Sequence, residues 1–209
     1  MQITYLGHSC FLIETVGKRL LVDPFIAPNP MAVEQLPDHL QADNIAVDYL
    51  LITHGHQDHI ADAVAIAKRN GAKVISNNEI VTWFGGQDIE GHPMNHGGQW
   101  TFDFGKIKYV NAVHSSVLPD GTYGGNPGGF VLSNEEACIY IAGDTALTMD
   151  MKLIPMTGPK LDLAILPVGD NFTMGIDEAL IASDFIETNR ILACHYDTFG
   201  YIKIDHNAA

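Results

Sequence analysis

Positive charge is scarce in this sequence. Only 11 Lys and Arg stand against 25 Asp and Glu, a formal net charge of −14. That balance opposes non-specific binding to nucleic acid or to anionic lipid, which want a basic surface. It leaves room for a small anionic substrate, because a bound cation can reverse the sign of the local field. Cysteine is also scarce. Cys10, Cys138 and Cys194 are an odd number without framework spacing, so no disulfide scaffold is expected. Their apolar contexts read as buried thiols in a reducing cytoplasm. No apolar run approaches the ~20 residues of a membrane span. The start, Met1-Gln2-Ile3-Thr4, lacks a basic stretch followed by an apolar one, so no signal peptide is expected. Linkers, low-complexity tracts and repeats of fixed period are missing too.

What the chain does have is the material for a core. Hydrophobic residues make up 46% of its 209 residues and charged ones 17%. That suits one domain of the larger single-core kind over 1–209, or at most two small ones. Ile3–Leu6, Cys10–Glu14 and Arg19–Val22 read as strands, close enough to pair antiparallel. Residues 24–43 carry four prolines and little periodicity, and read as a surface excursion. Val47–Thr53 reads as a buried strand, Ala61–Arg69 as a helix ended by Asn70-Gly71, and Lys73–Ser76 as the next strand. Further on, Trp100–Phe104 and Lys106–Val113 form a hairpin about Gly105. Phe130–Leu132, Cys138–Ala142, Leu161–Leu166 and Ile191–Cys194 are strands. Asp177–Thr188 is a helix that Asp177 is placed to cap. Alternating strands and helices imply α/β layers.

Chemistry concentrates in Thr53-His54-Gly55-His56-Gln57-Asp58-His59. Imidazoles this dense repel one another once protonated and gain little as core residues. Neutral imidazole and carboxylate together suit zinc and similar ions. Downstream, His114, Asp144 and His195 each follow an apolar strand, as His54 does. Strand ends on one sheet edge are where open α/β layers place their sites. His39, His92, His96 and His206 read as structural or exposed; Pro93 argues against a helical pair at His92 and His96. Tyr123, Asn171, Thr173 and Phe199 are pocket-lining candidates.

These motifs resemble the metallo-β-lactamase superfamily. Gly7-His8-Ser9-Cys10, His114-Ser115-Ser116, Gly143-Asp144-Thr145, Gly169-Asp170-Asn171-Phe172-Thr173-Met174-Gly175 and His195-Tyr196-Asp197-Thr198-Phe199 are similar to its metal-dependent hydrolases related to ascorbate-6-phosphate lactonase. The resemblance spans residues 3 to about 205, nearly the whole chain. Chains of that family usually continue past a tail such as 205–209, so a final segment is expected to be missing. The resemblance implies a four-layer αββα sandwich. It implies that His54, His56 and His114 bind one metal, that Asp58, His59 and His195 bind a second, and that Asp144 bridges them. Two divalent ions against two carboxylates and a hydroxide leave a formal charge of about +1.

The activity expected is a dinuclear hydrolase with zinc, or else manganese or iron. A metal-bridging hydroxide would attack an ester, lactone or phosphoester of a small substrate. Asp58 is the candidate for handling the proton, and His8 is a second candidate as acid or pocket residue. Three alternatives are a phosphodiesterase or nuclease on the same site, a di-iron redox protein, and a non-enzymatic metal-binding module. The acidic charge opposes long nucleic acid. His56 stands where redox members resembling this chain commonly carry glutamate, which opposes the di-iron reading. The expected partner is a small molecule, with neither nucleic acid nor membrane, and a homo-oligomer stays open.

Overall fold

The architecture is that of a computed structural model, which describes residues 1–207; Ala208 and Ala209, the end of the tail noted above, lie outside the described residues. The chain divides into two compact units. The first is Met1–Asn95 with Ser115–Asn126, and the second is His96–His114 with Pro127 onward.

The first unit is built on a six-stranded sheet. Its strands are β1 (Gln2–Gly7), β2 (Cys10–Thr15), β3 (Lys18–Val22), β4 (Tyr49–Leu51), β5 (Lys73–Asn77) and β6 (Gly91–Met94), paired in chain order. The first three form the expected antiparallel meander. From β3 to β6 every pair is parallel. Parallel neighbours need crossovers. These are α1 (Pro30–Gln35), α2 (Gln57–Ile60) with α3 (Ala63–Asn70), and α4 (Asn78–Gly85). The inner strands are apolar at successive positions, because both faces are covered. Leu12, Leu21, Leu50 and Val74 pack with Ile60, Ala63, Ile66, Ile80 and Phe84 in one buried cluster. Because β1 runs with β3, β4 and β5, their C-terminal ends share one edge. His8, Asp23, Thr53 and Asn77 lie at or just past those ends.

The second unit repeats the plan with β7 (Gln99–Phe102), β8 (Gly105–Asn111), β9 (Gly128–Ser133), β10 (Cys138–Ile141), β11 (Leu163–Pro167) and β12 (Ile191–Cys194). Here β7 to β10 are antiparallel, and β10, β11 and β12 are parallel. Helix α5 (Leu153–Thr157) lies between β10 and β11, and α6 (Ile176–Phe185) between β11 and β12. Tyr140, Leu166, Met174, Ala182 and Ile186 belong to its buried cluster. Strands β8, β10, β11 and β12 all point one way, so His114, Asp144, Gly169 and His195 follow strand ends on a common edge.

Several sequence expectations need correction. Val47–Thr53 contributes only the short strand β4; the helix expected at Ala61–Arg69 is α3, and the unexpected α2 precedes it. Asp58 and His59 are therefore helical rather than in a loop. Asp177 does not cap α6: Gly175 holds the cap position without a side-chain bond, and Asp177 sits in the first turn, where its charge favours the helix dipole. The excursion at 24–43 contains α1, whose cap Asn29 accepts from the Met31 N–H. Strand β6, not expected from the sequence, tolerates Pro93 because it lies at the sheet edge.

Candidate metal centre

In the first unit the chain after β4 turns its polar side chains inward. His54 and His59 are fully buried, and so is Thr53. His54 Nε2 lies 3.0 Å from His56 Nδ1. The other nitrogen of His56 meets Ser115 Oγ at 3.2 Å. Ser116 braces the turn beneath, its hydroxyl oxygen accepting from the Gly55 N–H at 3.0 Å and its O–H donating to the Gly124 carbonyl at 2.9 Å. His56 caps α2, which places Asp58 and His59 in its single turn.

His8 joins this group. Gly7 has φ +103°, and a β-carbon there would stand 2.8 Å from Asn29 Nδ2. His8 itself is left-handed, φ +56°, which is uncommon for a residue with a side chain. The Tyr5 hydroxyl donates to its carbonyl at 3.1 Å. This held backbone aims a buried imidazole at Asp58, with Nε2 to Oδ2 at 3.0 Å. Ligand-capable atoms of His8, Asp58 and His59 all lie within 4.8 Å of one another, and those of Asp23, His54 and His59 do so too.

Asp23 is the residue that sequence reasoning passed over as the end of a strand. It is 1% exposed. Its backbone N–H donates to the Leu51 carbonyl, and its carboxylate accepts from the Thr53 N–H at 2.8 Å and from His59 Nδ1 at 2.8 Å. Burial pushes this carboxyl above its ordinary range, against the opposing pull of His59 and Thr53. The only sequence signal was an acid at the end of an apolar strand.

In the second unit Asp144 is 2% exposed and follows β10 through Gly143, φ +65°. Its Oδ2 lies 2.9 Å from His195 Nε2 and 3.6 Å from His114 Nε2. Thr145 ties two of these loops together: its hydroxyl accepts from the Val113 N–H at 2.9 Å and donates to the Ala146 carbonyl at 2.7 Å. His195 is left-handed at φ +56° and buried. Thus each expected ligand sits in a polar cluster of its own unit: His54, His56, Asp58 and His59 in the first, His114, Asp144 and His195 in the second.

The donor chemistry fits a metal. Buried imidazoles normally take hydroxyl, carbonyl or carboxylate partners. Here His54 and His56 face each other nitrogen to nitrogen at 3.0 Å, a pairing that one proton or one cation can satisfy. Carboxylates stand at hydrogen-bond range of His8, His59 and His195, the combination that borderline divalent ions prefer.

The β-lactamase superfamily domain model matches residues 2–195. This chain belongs to that superfamily. Within it, a protein of Christiangramia forsetii described as a UPF0173 metal-dependent hydrolase is 57% identical over 100% of this chain and 90% of its own length. A Flavobacterium johnsoniae protein of the same description is 57% identical, over 99% and 89%. Among solved structures, Igni18, a metallo hydrolase of the archaeon Ignicoccus hospitalis, is 36% identical, with a TM-score of 0.86 over 99% of this chain and 87% of that one. The chain is accordingly a metal-dependent hydrolase of the superfamily, with the superfamily's α/β fold and His and Asp residues able to hold metal ions.

The remaining histidines stand elsewhere. His96 bonds to the Pro127 carbonyl at 2.8 Å, and His206 pairs with Asp197 at 2.6 Å. His92 is on β6 and His39 in a 3-10 turn. Among the pocket candidates, Tyr123 is exposed, its hydroxyl donating to Asn126 Oδ1 at 2.7 Å, and Thr173 is buried.

Proposed function

We propose that this protein is a dinuclear hydrolase of small esters, lactones or phosphoesters. His54, His56 and His114 serve one ion, Asp58, His59 and His195 the other, and Asp144 both. The observation that carries the reading is the pair of donor clusters, each assembled past the C-terminal strand ends of its own sheet. Zinc is the first choice, since most of the donors are imidazoles. No helix among the described residues is long and apolar enough to cross a membrane. Three buried cysteines accord with a cytoplasmic setting.

Two bound divalent ions supply a hydroxide nucleophile near neutral pH and polarise the oxygen of the group attacked. The chain's own residues handle protons and orientation. Asp58 would take the proton that the bound water loses in becoming that hydroxide. His8, 3.0 Å from Asp58 Oδ2, would relay that proton to the departing oxygen as the old bond breaks. The left-handed turn at Gly7-His8 holds that imidazole in place.

A screen of lactones, phosphoesters and thioesters with zinc-loaded protein tests the activity. Asp58→Asn and His8→Gln should each lower turnover by about 10²- to 10⁴-fold. His54→Ala should stay folded and lose metal. Unchanged metal content and activity in His54→Ala would sink the assignment. Iron with oxygen-dependent turnover and no hydrolysis would replace it with the redox reading.

A further inference from the structure

The hydroxyl of Thr53 takes part in no proposed chemical step, yet it lies fully buried between the proposed ligand His54 and the carboxylate of Asp23. With Asp23 ionised, its contacts assign which atoms carry hydrogen. The Thr53 N–H donates to Asp23 Oδ1 at 2.8 Å, and the Thr53 O–H donates to Asp23 Oδ2 at 2.6 Å. A threonine hydroxyl has one hydrogen. With that hydrogen spent on Asp23, Thr53 Oγ1 can only accept from His54 Nδ1, 3.0 Å away. His54 must then carry its hydrogen on Nδ1, leaving a lone pair on Nε2. The same Asp23 Oδ2 accepts from His59 Nδ1 at 2.8 Å, so His59 also keeps its Nε2 lone pair. One carboxylate and one hydroxyl thus set the donor nitrogens of two imidazoles assigned to different ions.

We propose that Thr53 is a positioning residue that couples the two ions, its hydroxyl joining His54 to the Asp23–His59 pair so that losing it weakens both ions together. The inference rests on the dinuclear reading above. Burial strengthens it: Asp23, Thr53, His54 and His59 are each at most 1% exposed, so solvent does not offer a substitute donor. The backbone restrains the hydroxyl too, since the preceding Ile52 N–H donates to the Ile75 carbonyl at 3.0 Å and continues the β4–β5 ladder. The rings of His54 and His59 are 4.1 Å apart between centroids, so a rotation of one displaces the other. The opposite polarity cannot serve a metal. A proton on Asp23 would turn the Thr53 hydroxyl toward His54, which would then hold its hydrogen on Nε2.

The test uses the full chain as wild type, Thr53→Val and Thr53→Ser. Valine keeps the branched shape and lacks the hydroxyl; serine keeps the hydroxyl. Zinc titration against a competing chelator should show both sites of Thr53→Val weakened by about 10- to 100-fold, the usual cost of losing a group that orients a ligand. Thr53→Ser should retain affinity within about threefold, because it preserves the bond that matters. Long-range proton–nitrogen spectra of the metal-free wild type should show hydrogen on Nδ1 of both His54 and His59. A merely structural threonine would alter melting temperature and leave these readouts alone.

Unchanged zinc affinities in Thr53→Val, weakening of one site alone, or hydrogen on His54 Nε2 in the wild type would each overturn the proposal. Should Thr53→Val fail to fold, the wild-type spectrum decides. Wild-type protein that binds no zinc at all would overturn the dinuclear reading instead, and the same spectrum still decides the role of Thr53.

Discussion

Asp23 Oδ2 accepts a hydrogen bond from His59 Nδ1 at 2.8 Å across 36 residues of sequence. Parallel pairing of Val22 with Leu51 brings them together, because each strand then hands its next residues to the same sheet edge. A carboxylate behind a ligand imidazole fixes the ring and raises its basicity. Asp23→Asn should therefore weaken zinc binding by about 10- to 100-fold while the chain stays folded. A chelator competition titration reads this, and an unchanged affinity would show that His59 needs no such support.

Gly169 supports His195 in another way. A β-carbon on Gly169 would collide with the His195 carbonyl oxygen and lie 3.0 Å from Ile202 Cβ. Gly169→Ala should cost about 1–3 kcal/mol or more and displace a proposed ligand, lowering metal retention. Gly17 makes the control. It is left-handed, φ +71°, and a β-carbon there meets nothing within 4 Å. Gly17→Ala should cost about 1–2 kcal/mol for the backbone alone and keep its metal. Thermal denaturation with metal analysis on both variants checks the contrast.

Tyr140 is fully buried in the second unit, and its hydroxyl has no hydrogen-bond partner among the described residues. Burial pushes the phenol well above its ordinary range, so it stays neutral and still lacks compensation. Tyr140→Phe should stabilise the protein by about 1 kcal/mol by removing that polar atom. A lower denaturant midpoint in the variant would contradict this.

The thiols respond to burial in the same direction. Cys138 is pushed up to about 11 by desolvation and by the nearby Asp162, and burial raises Cys10 further still. A thiol three pH units below its midpoint is thiolate to only about 0.1%. Cys10 and Cys138 should resist iodoacetamide at pH 8 in the folded chain and react promptly in guanidinium. Mass spectrometry of the alkylated protein distinguishes the two. Rapid native labelling of Cys10 would contradict its burial.

Much of the site was legible because its signal is local. Three histidines and an aspartate between His54 and His59 need no alignment to stand out, and His114, Asp144 and His195 share their place after a strand. The supporting groups were not legible for the same reason. Asp23 before Pro24 looks like a turn acid, and Thr53 like the last residue of a β-rich run. Their roles depend on the register of β3 against β4, which sequence spacing does not encode. Helix α2 was hidden because four residues carry no periodicity. Strand β6 was hidden because Pro93 argues against a strand everywhere except at an edge. The misplaced cap at Asp177 is a shift of two residues at a helix start, where propensity is least decisive.

The central claim is a two-ion hydrolytic centre. Its most direct test is metal analysis of protein purified without added metal, followed by zinc titration of the chelator-stripped chain with hydrolysis of a lactone or phosphoester followed in parallel. The account predicts two divalent ions per chain, activity lost on chelation, and activity restored as the ions return. Hydrolysis that persists without metal, or a chain that saturates with no ion or with only one, would contradict it.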